Sequence, residues 1–262
     1  MSHVLEDVPL LLATGQGRSG TTVLTKALAE HPAIYSNRVE SNVMKDVLVA
    51  GHASSSMASR ARQMVLPRDQ HDLVFRRMLL ELLFPTDRWT GDAKPLALST
   101  FSAMSPDAAE FATAVFPGIH FANIVRHGVE VVASRMVHRS LGKHSFEEHC
   151  RAWAAAQEMA EWGAERANFS LIRHEDLLTA ETCVPLFNRL FESANLPASN
   201  ASSEYVLNHR FNQTAYEQET NHDSENLNRR SQRWQLWSEP QRHEFVRLCG
   251  PAMEYFGYEI PA

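Results

Sequence analysis

The sequence lacks several features that mark specialised classes of protein. It has only three cysteines in 262 residues, Cys150, Cys183 and Cys249, which are widely spaced and odd in number. We therefore expect reduced, structural thiols rather than a disulfide framework. Its thirteen histidines form no constellation with the spacing of metal ligands. The sequence accordingly predicts a protein without a metal site.

Long apolar runs and an excess of positive charge are also missing. No run of 18 apolar residues occurs, so no transmembrane helix and no stable membrane insertion are expected. The first residues carry neither the basic nor the apolar segment of a signal peptide, which favours a cytoplasmic location. The formal net charge of −6 argues against a general nucleic-acid-binding surface, although a local basic pocket remains compatible with it.

The most informative stretch is residues 10–22, which read Leu-Leu-Leu-Ala-Thr-Gly-Gln-Gly-Arg-Ser-Gly-Thr-Thr. The apolar start predicts a buried strand, and the apolar residues that follow Thr22 recur with helical spacing. The first backbone N–H groups of a helix have no intrahelical partner, so a glycine-rich turn at a helix N-terminus can bind an anion. We therefore expect anion binding here, with additional donors from Arg18, Thr21 and Thr22.

The same stretch nearly matches the phosphate-binding pattern G-x-x-x-x-G-K-[ST] of nucleoside triphosphatases. Gly15 and Gly20 have the required separation, but Thr21 stands where the pattern has lysine. That lysine neutralises the β- and γ-phosphates during phosphoryl transfer. An ATP-dependent small-molecule kinase is thus the alternative function, and a non-catalytic nucleotide-binding protein is a third.

Two segments resemble the sulfotransferases that use 3'-phosphoadenosine 5'-phosphosulfate (PAPS). One is the loop Gly17-Arg18-Ser19-Gly20-Thr21-Thr22, which is similar to the phosphosulfate-binding loop of that family. The other is Arg126, which follows a predicted strand, with Ser134 eight residues later. The resemblance implies that the loop binds the 5'-phosphosulfate and that Arg126 and Ser134 bind the 3'-phosphate. Because ligands of parallel sheets bind at the carboxyl ends of strands, we expect both segments at one edge.

Three further segments are similar to the family more loosely. Residues 91–95 resemble its K-x-P segment, which implies that Lys94 stabilises the bridging oxygen of the donor. Residues 171–177 resemble a V-R-Y-E-D-L segment, in which His174 replaces the tyrosine near the adenine. Residues 229–234 resemble a basic segment that ends in R-W, which implies nucleotide contacts from Arg230 and Arg233, although the family's usual glycine is missing.

The resemblance also suggests a mechanism without a metal, in which a sulfuryl group is displaced in line by an acceptor hydroxyl or amine. Arg18 and Lys94 would stabilise charge, and 3',5'-ADP would be the product. Tyrosylprotein sulfotransferases place a catalytic glutamate after the loop helix, where this chain has Glu40. Glu40 is therefore the candidate base, with His127 and His138 as alternatives.

The order of the predicted elements indicates one α/β domain over residues 1–262. We expect a three-layer α/β/α fold with a central, mainly parallel sheet, because strands alternate with helices. Residues 33–35 are predicted as a strand, 146–167 as one long helix, and 51–72 and most of 197–230 as loops. The acceptor, a small molecule or a carrier-bound group, is not specified by these patterns, and a homodimer is left open.

Overall fold

The computed structural model describes residues 10–36, 43–61, 67–83, 96–99, 104–209 and 224–261, and a four-stranded sheet lies at its centre. The strands are β1 (Leu10–Gly15), β2 (Leu96–Ser99), β3 (His120–Val125) and β4 (Phe169–Arg173), in the spatial order β2-β1-β3-β4. All three strand pairs are parallel. The predicted fold class is therefore confirmed.

Eleven helices surround this sheet in the described part of the chain. The first four are α1 (Thr21–Leu28), α2 (Val43–Ala61), α3 (Arg68–Leu83) and α4 (Pro106–Val115). The next four are α5 (Gly128–Met136), α6 (Phe146–Ala154), α7 (Ala156–Gly163) and α8 (Ala180–Ser193). The last three are α9 (Ala201–Asn208), α10 (Ser224–Gln235) and α11 (Glu239–Tyr255), and a short 3₁₀ turn spans His174–Leu177.

The two faces of the sheet are covered by different helices because successive side chains of a strand point in opposite directions. On β1, Leu10 and Leu12 pack in a buried cluster with residues of α2, α3 and α4. Leu11 and Ala13 pack in a second cluster with residues of α1 and α8. Both faces are thus apolar, as the continuous apolar run of β1 requires.

A third apolar cluster lies beside the sheet and contains residues of α5, α6, α10 and α11. The fully buried ring of Trp153 is at its centre, and its indole Nε1 donates to the carbonyl oxygen of Arg126 at 3.0 Å. This cluster fixes α5 and the backbone at Arg126, from which two of the predicted site residues extend.

Two of the predicted loops were wrong, because they contain helices. Within this range, residues 51–61 lie in α2 and residues 68–72 lie in α3. The segment 197–230 contains α9 and the start of α10. The small and polar composition of these stretches hid helices whose stability comes from packing rather than from a wide apolar stripe.

Two further element predictions are corrected. The helix predicted over 146–167 is two helices, α6 and α7, separated by Ala155, where ψ is −13°. The strand predicted over 33–35 is reduced to a single bridge residue, Tyr35. The strand β2 was not predicted, since its four residues are too short to show a periodicity.

Candidate active site

The carboxyl ends of β1 and β3 lie side by side, and two of the predicted motifs begin there. Gly15, the last residue of β1, is paired with Ile124 of β3. β1 has β2 on one side and β3 on the other, so the strand order reverses at this point. Open parallel sheets bind ligands in the crevice at such a switch point. The loop after β1 and the segment that starts at Arg126 therefore leave the sheet at the same edge.

The glycine loop, defined here as residues 16–20, is a tight turn that leads into α1. The backbone N–H of Ser19 donates to the carbonyl oxygen of Gln16 at 2.9 Å. Arg18 and Gly20 have positive φ values of 80° and 104°. A left-handed arginine is strained, and such strain is typically retained where a ligand-binding loop needs it.

Two glycines of this region cannot be replaced without a steric clash. A Cβ atom on Gly15 would lie 2.4 Å from the carbonyl oxygen of Ile124. A Cβ atom on Gly20 would lie 2.5 Å from Cδ2 of His174. The glycines therefore permit both the positive φ values and the close approach of the loop to β3 and His174.

The glycine loop retains hydrogen-bonding capacity for a ligand. Ser19 is fully buried, and its Oγ has no partner among the described residues. The N-terminus of α1 has no side-chain cap within the described part of the chain. A buried hydroxyl without a partner is costly unless a bound group satisfies it. These groups fit an anionic ligand at the start of α1.

The glycine loop contacts α5 directly. The Nε atom of Arg18 donates to Oγ of Ser134 at 2.9 Å, although 116 positions separate the two residues. The two motifs that sequence analysis singled out are therefore brought together. A guanidinium and a hydroxyl in contact at this edge can act on neighbouring groups of one ligand.

Arg126 and Arg233 share one carboxylate oxygen. Oε2 of Glu130 accepts from Nη2 of Arg126 at 3.0 Å and from Nη1 of Arg233 at 2.5 Å. The Glu130 side chain is only 7% exposed, whereas the two arginines are 24% and 23% exposed. We define these three residues as the Glu130 cluster. It joins α10 to the start of α5 and carries a net charge of +1.

A second carboxylate, Glu175, holds Arg230. Its Oε1 accepts from Nη2 of Arg230 at 3.0 Å and from the backbone N–H of His127 at 3.1 Å, and its Oε2 accepts from the Tyr258 hydroxyl at 2.8 Å. Burial would raise the pKa of Glu175, but the net direction is downward, and the hydrogen bonds from Tyr258 and the backbone contribute to lowering it. Glu175 is thus a fixed anion that anchors α10 and the C-terminal segment.

The candidate histidines have different environments. His174 lies against Gly20, and burial, together with nearby Arg126, lowers its pKa to about 3. His127 is the N-cap of α5: its Nδ1 accepts from the Val129 N–H, and its Nε2 lies 2.9 Å from the carbonyl oxygen of Glu259. Burial lowers its pKa to about 4. Both ring nitrogens of His127 are engaged, which leaves neither available to an acceptor.

The third histidine, His138, follows the end of α5. Its Nδ1 lies 3.1 Å from Oγ of Ser140. The other two catalytic candidates, Glu40 and Lys94, lie outside the described residues. Their predicted roles therefore stay predictions.

Sequence analysis missed a buried group behind the glycine loop. Nη1 of Arg135 donates to Oε1 of Gln16 at 3.4 Å, and its Nε donates to Nδ1 of His149 at 3.3 Å. The Gln16 amide also donates to the carbonyl oxygen of Ala152 in α6. Burial lowers the pKa of Arg135. This network connects the loop to α5 and α6 and places a buried cation next to it.

Sequence analysis also missed Glu130 and Glu175. The sequence contained a signal for each of them. Glu130 stands four residues after Arg126, and Glu175 lies within the segment that resembles V-R-Y-E-D-L. An arginine followed by glutamate at i+4 pairs readily near a helix start. The partners Arg230 and Arg233 are 55 and 103 positions away, so only the folded chain identifies them.

The described residues contain no group of histidine, cysteine, aspartate or glutamate side chains arranged to hold a metal ion. Among the same residues, no helix is both long and apolar enough to cross a membrane.

The comparison with protein families decides what kind of enzyme has this crevice. A sequence model of the sulfotransferase family matches residues 9–197, well over half of the chain. The chain belongs to the sulfotransferase family. This sulfotransferase transfers a sulfuryl group to an acceptor substrate, and the matched residues include the glycine loop, Arg126, Ser134 and His174. No curated protein sequence matches it.

Solved structures show the same fold at low sequence identity. The sulfotransferase domain from the Synechococcus PCC 7002 olefin synthase is 14% identical, with a TM-score of 0.57, over 97% of this chain and 96% of that one. The sulfotransferase domain from the curacin biosynthetic pathway is 18% identical, with a TM-score of 0.56, over 97% and 99% of the two chains. A sulfotransferase from Alicyclobacillus acidocaldarius is 13% identical, with a TM-score of 0.50, over 92% and 96%.

Proposed function

We propose that the sulfuryl donor is PAPS and that a hydroxyl or amine of a small-molecule or carrier-bound acceptor displaces the sulfuryl group in line, leaving 3',5'-ADP. The single observation that supports this donor is the hydrogen bond from Arg18 to Ser134 at 2.9 Å. It joins the two anion sites at one edge of the sheet. A nucleotide with anionic groups on both the 5' and the 3' carbon of its ribose needs two such sites.

The described residues fit this donor. The 5'-phosphosulfate would be held by the glycine loop and the start of α1, through Gly17, Arg18, Ser19, Gly20, Thr21 and Thr22. Ser19 supports this assignment, since its buried Oγ has no partner among the described residues. The 3'-phosphate would be bound by Arg126 and Ser134, and the adenine would lie near His174, which is neutral because burial lowers its pKa to about 3.

The two C-terminal arginines have different expected roles. Arg233 belongs to the Glu130 cluster with Arg126, so we assign it to the 3'-phosphate. Arg230 pairs with Glu175, which is itself fixed by Tyr258 and the His127 N–H. Arg230 would therefore support the nucleotide site by anchoring α10 beside it.

When bound, PAPS supplies the sulfuryl group, and the protein contributes positioning and charge stabilisation. Arg18 and Lys94 would stabilise the negative charge that develops on the bridging oxygen and the transferred group. These cations provide the counter-charge that a metal provides in kinases. The donors of the glycine loop would hold the 5'-phosphate in line with the acceptor.

The acceptor needs a base, and we assign this role to Glu40, with His138 as the alternative. His127 is disfavoured because both of its ring nitrogens are engaged. Glu40→Gln should therefore retain 3',5'-ADP binding and lose turnover, measured as 3',5'-ADP release from PAPS in the presence of a panel of model alcohols and phenols. A variant with wild-type turnover would remove Glu40 from this role.

Arg126→Ala tests the donor. Calorimetric titration with 3',5'-ADP and with 5'-AMP should show a loss of about tenfold to a hundredfold for 3',5'-ADP, because a hydrogen-bonded charge pair is lost. Binding of 5'-AMP, which has no 3'-phosphate, should change little. Arg139→Ala is the matched control, since Arg139 is exposed in the turn after α5.

The outcomes separate the candidate functions. Equal losses for both nucleotides would contradict the assignment of Arg126 to the 3'-phosphate. Stabilisation of the wild type by ATP with magnesium, and not by 3',5'-ADP, would contradict PAPS as the donor and would favour a kinase.

A further inference from the structure

The Glu130 cluster contains an anion at the place where the proposed function needs a phosphate. Oε2 of Glu130 accepts from Arg126 at 3.0 Å and from Arg233 at 2.5 Å. Two guanidinium groups that converge on one oxygen are the arrangement that a phosphate oxygen also takes. The carboxylate therefore makes the contacts that a bound 3'-phosphate would need.

Glu130 differs from Glu175 in how firmly it is held. Glu175 has partners besides its arginine, namely the Tyr258 hydroxyl and the His127 N–H. The side-chain partners found for Glu130 in the described residues are Arg126 and Arg233 alone. Both of these arginines retain 23–24% exposure, so a ligand can reach them. Within the described part of the chain, Glu130 can be separated from its partners without breaking other side-chain hydrogen bonds, whereas Glu175 cannot.

We propose that Glu130 is an internal competitor of the nucleotide 3'-phosphate and sets the affinity of the site for 3'-phosphorylated nucleotides. This inference rests on the proposed function. In the ligand-free protein Glu130 occupies Arg126 and Arg233 and neutralises one of their two charges. A 3'-phosphate takes over these donors, and the loss of the two pairs to Glu130 reduces the net affinity. The same competition weakens the binding of 3',5'-ADP, the product that must leave.

Replacement of Glu130 by its neutral isostere tests this role. Glu130→Gln should bind 3',5'-ADP at least about tenfold more tightly than the wild type, which corresponds to about 1.4 kcal/mol. Its affinity for 5'-AMP should stay within about twofold, because that nucleotide carries an uncharged hydroxyl in place of the phosphate at the 3' position. Both affinities are measured by calorimetric titration at one fixed salt concentration, since such pairs are screened by salt.

Glu147→Gln is the matched control. Glu147 is also paired with an arginine four positions away, Arg151, but on the exposed surface of α6. The Glu147→Gln substitution removes the same charge from the chain without changing the proposed nucleotide site. The control should therefore bind both nucleotides as the wild type does.

Three results would overturn the inference. Glu130→Gln could bind 3',5'-ADP no more tightly, or less tightly, than the wild type, which would make Glu130 a positioning residue for the arginines. Glu130→Gln could bind 3',5'-ADP and 5'-AMP more tightly by the same factor, which would show a general effect of charge. The control Glu147→Gln could increase the affinity for 3',5'-ADP as much as Glu130→Gln does.

A structure of the wild type with 3',5'-ADP gives a second test that does not depend on the folding of a variant. Glu130 should be separated from Arg126 Nη2 and Arg233 Nη1, and both contacts persisting beside the bound phosphate would contradict the competition. A wild type that binds neither nucleotide would overturn the proposed function and this inference together. If the wild type binds 3',5'-ADP but Glu130→Gln does not bind it more tightly, only the inference is overturned.

Discussion

Individual side chains give this acidic protein a local excess of positive charge at one edge of its sheet. The chain has a net charge of −6, yet Arg18, Arg126, Arg230 and Arg233 contact groups around the same crevice. Buried Arg135 adds a fifth cation behind the glycine loop, where its partners Gln16 and His149 are uncharged. The positive charge at this edge therefore comes from the local arrangement of side chains and not from the charge of the whole chain.

Ser134 provides a residue-scale prediction. Its Oγ accepts from the Arg18 guanidinium at 2.9 Å, and the proposed function gives it a hydrogen bond to the 3'-phosphate. Hydrogen bonds to charged groups contribute about 1.5–3 kcal/mol, so Ser134→Ala should weaken 3',5'-ADP binding by roughly tenfold to a hundredfold in a calorimetric titration.

Ser140→Ala is the control for Ser134, because Ser140 is exposed and its Oγ contacts His138. It should bind 3',5'-ADP as the wild type does. A Ser134→Ala variant with unchanged affinity would show that the contact with Arg18 has no role in nucleotide binding.

At the scale of elements, α10 is held in place by apolar contacts with α11. Trp234 lies in α10 and is 5% exposed, and Trp237 lies just after the helix and is 6% exposed. Their rings pack against the ring of Phe245 in α11 at centroid distances of 5.8 Å and 5.2 Å. Arg230 and Arg233 are three residues apart, so they lie on one face of the helix. The apolar contacts fix the helix, and the fixed helix positions both arginines.

The packing of α10 gives the element-scale prediction. Trp234→Ala should lower the free energy of unfolding by about 3–5 kcal/mol, since a buried tryptophan is removed from a packed cluster. Urea denaturation followed by circular dichroism measures this change. The affinity for 3',5'-ADP should fall as well, because Arg230 and Arg233 lose the helix that positions them.

Leu236→Ala is the control for this element. Leu236 directly follows α10 and is 80% exposed, so its loss should change the free energy of unfolding by less than about 0.5 kcal/mol. Equal effects of the two variants would mean that the third apolar cluster does not hold α10 in place.

At the scale of the whole molecule, the environments of three histidines make stability depend on pH. Burial lowers the pKa of His120 to about 4, of His127 to about 4 and of His174 to about 3, all from 6.5. These rings are neutral in the folded protein and become protonated on unfolding in mild acid. Their contribution to stability is therefore complete above pH 6.5 and is lost as the pH falls from 6.5 toward 4.

The free energy of unfolding should accordingly fall between pH 7.5 and pH 5, by at most about 2 kcal/mol for each of these rings. Urea denaturation at a series of pH values measures the slope. His120→Asn should flatten this slope, because the variant lacks one ring that takes up a proton on unfolding. His120 suits this test since it lies at the start of β3, far from the proposed nucleotide site, where its Nε2 lies 2.9 Å from Ser170 Oγ. An unchanged slope in this variant would show that His120 does not titrate on unfolding in this range.

The sequence by itself determined the strand, the glycine loop and the first helix, because their signals are local: an apolar run, glycines at fixed positions and helical periodicity. It also predicted the fold class, and the resemblance to sulfotransferases implied that Arg126 and Ser134 belong to one motif. It did not reveal α9, α10 or the helical part of 51–72, since those helices are stabilised by distant partners rather than by a strong pattern of their own.

Only the tertiary structure decided which side chains meet. Arg233 and Glu130 are 103 positions apart, and Arg18 and Ser134 are 116 apart, yet each pair is in contact. His127 has the residue type of a base, but its contacts with Val129 and Glu259 make it a helix cap. Local sequence patterns indicate which functional groups a chain has. Burial and contacts between distant residues determine the charge state and the partners of each group.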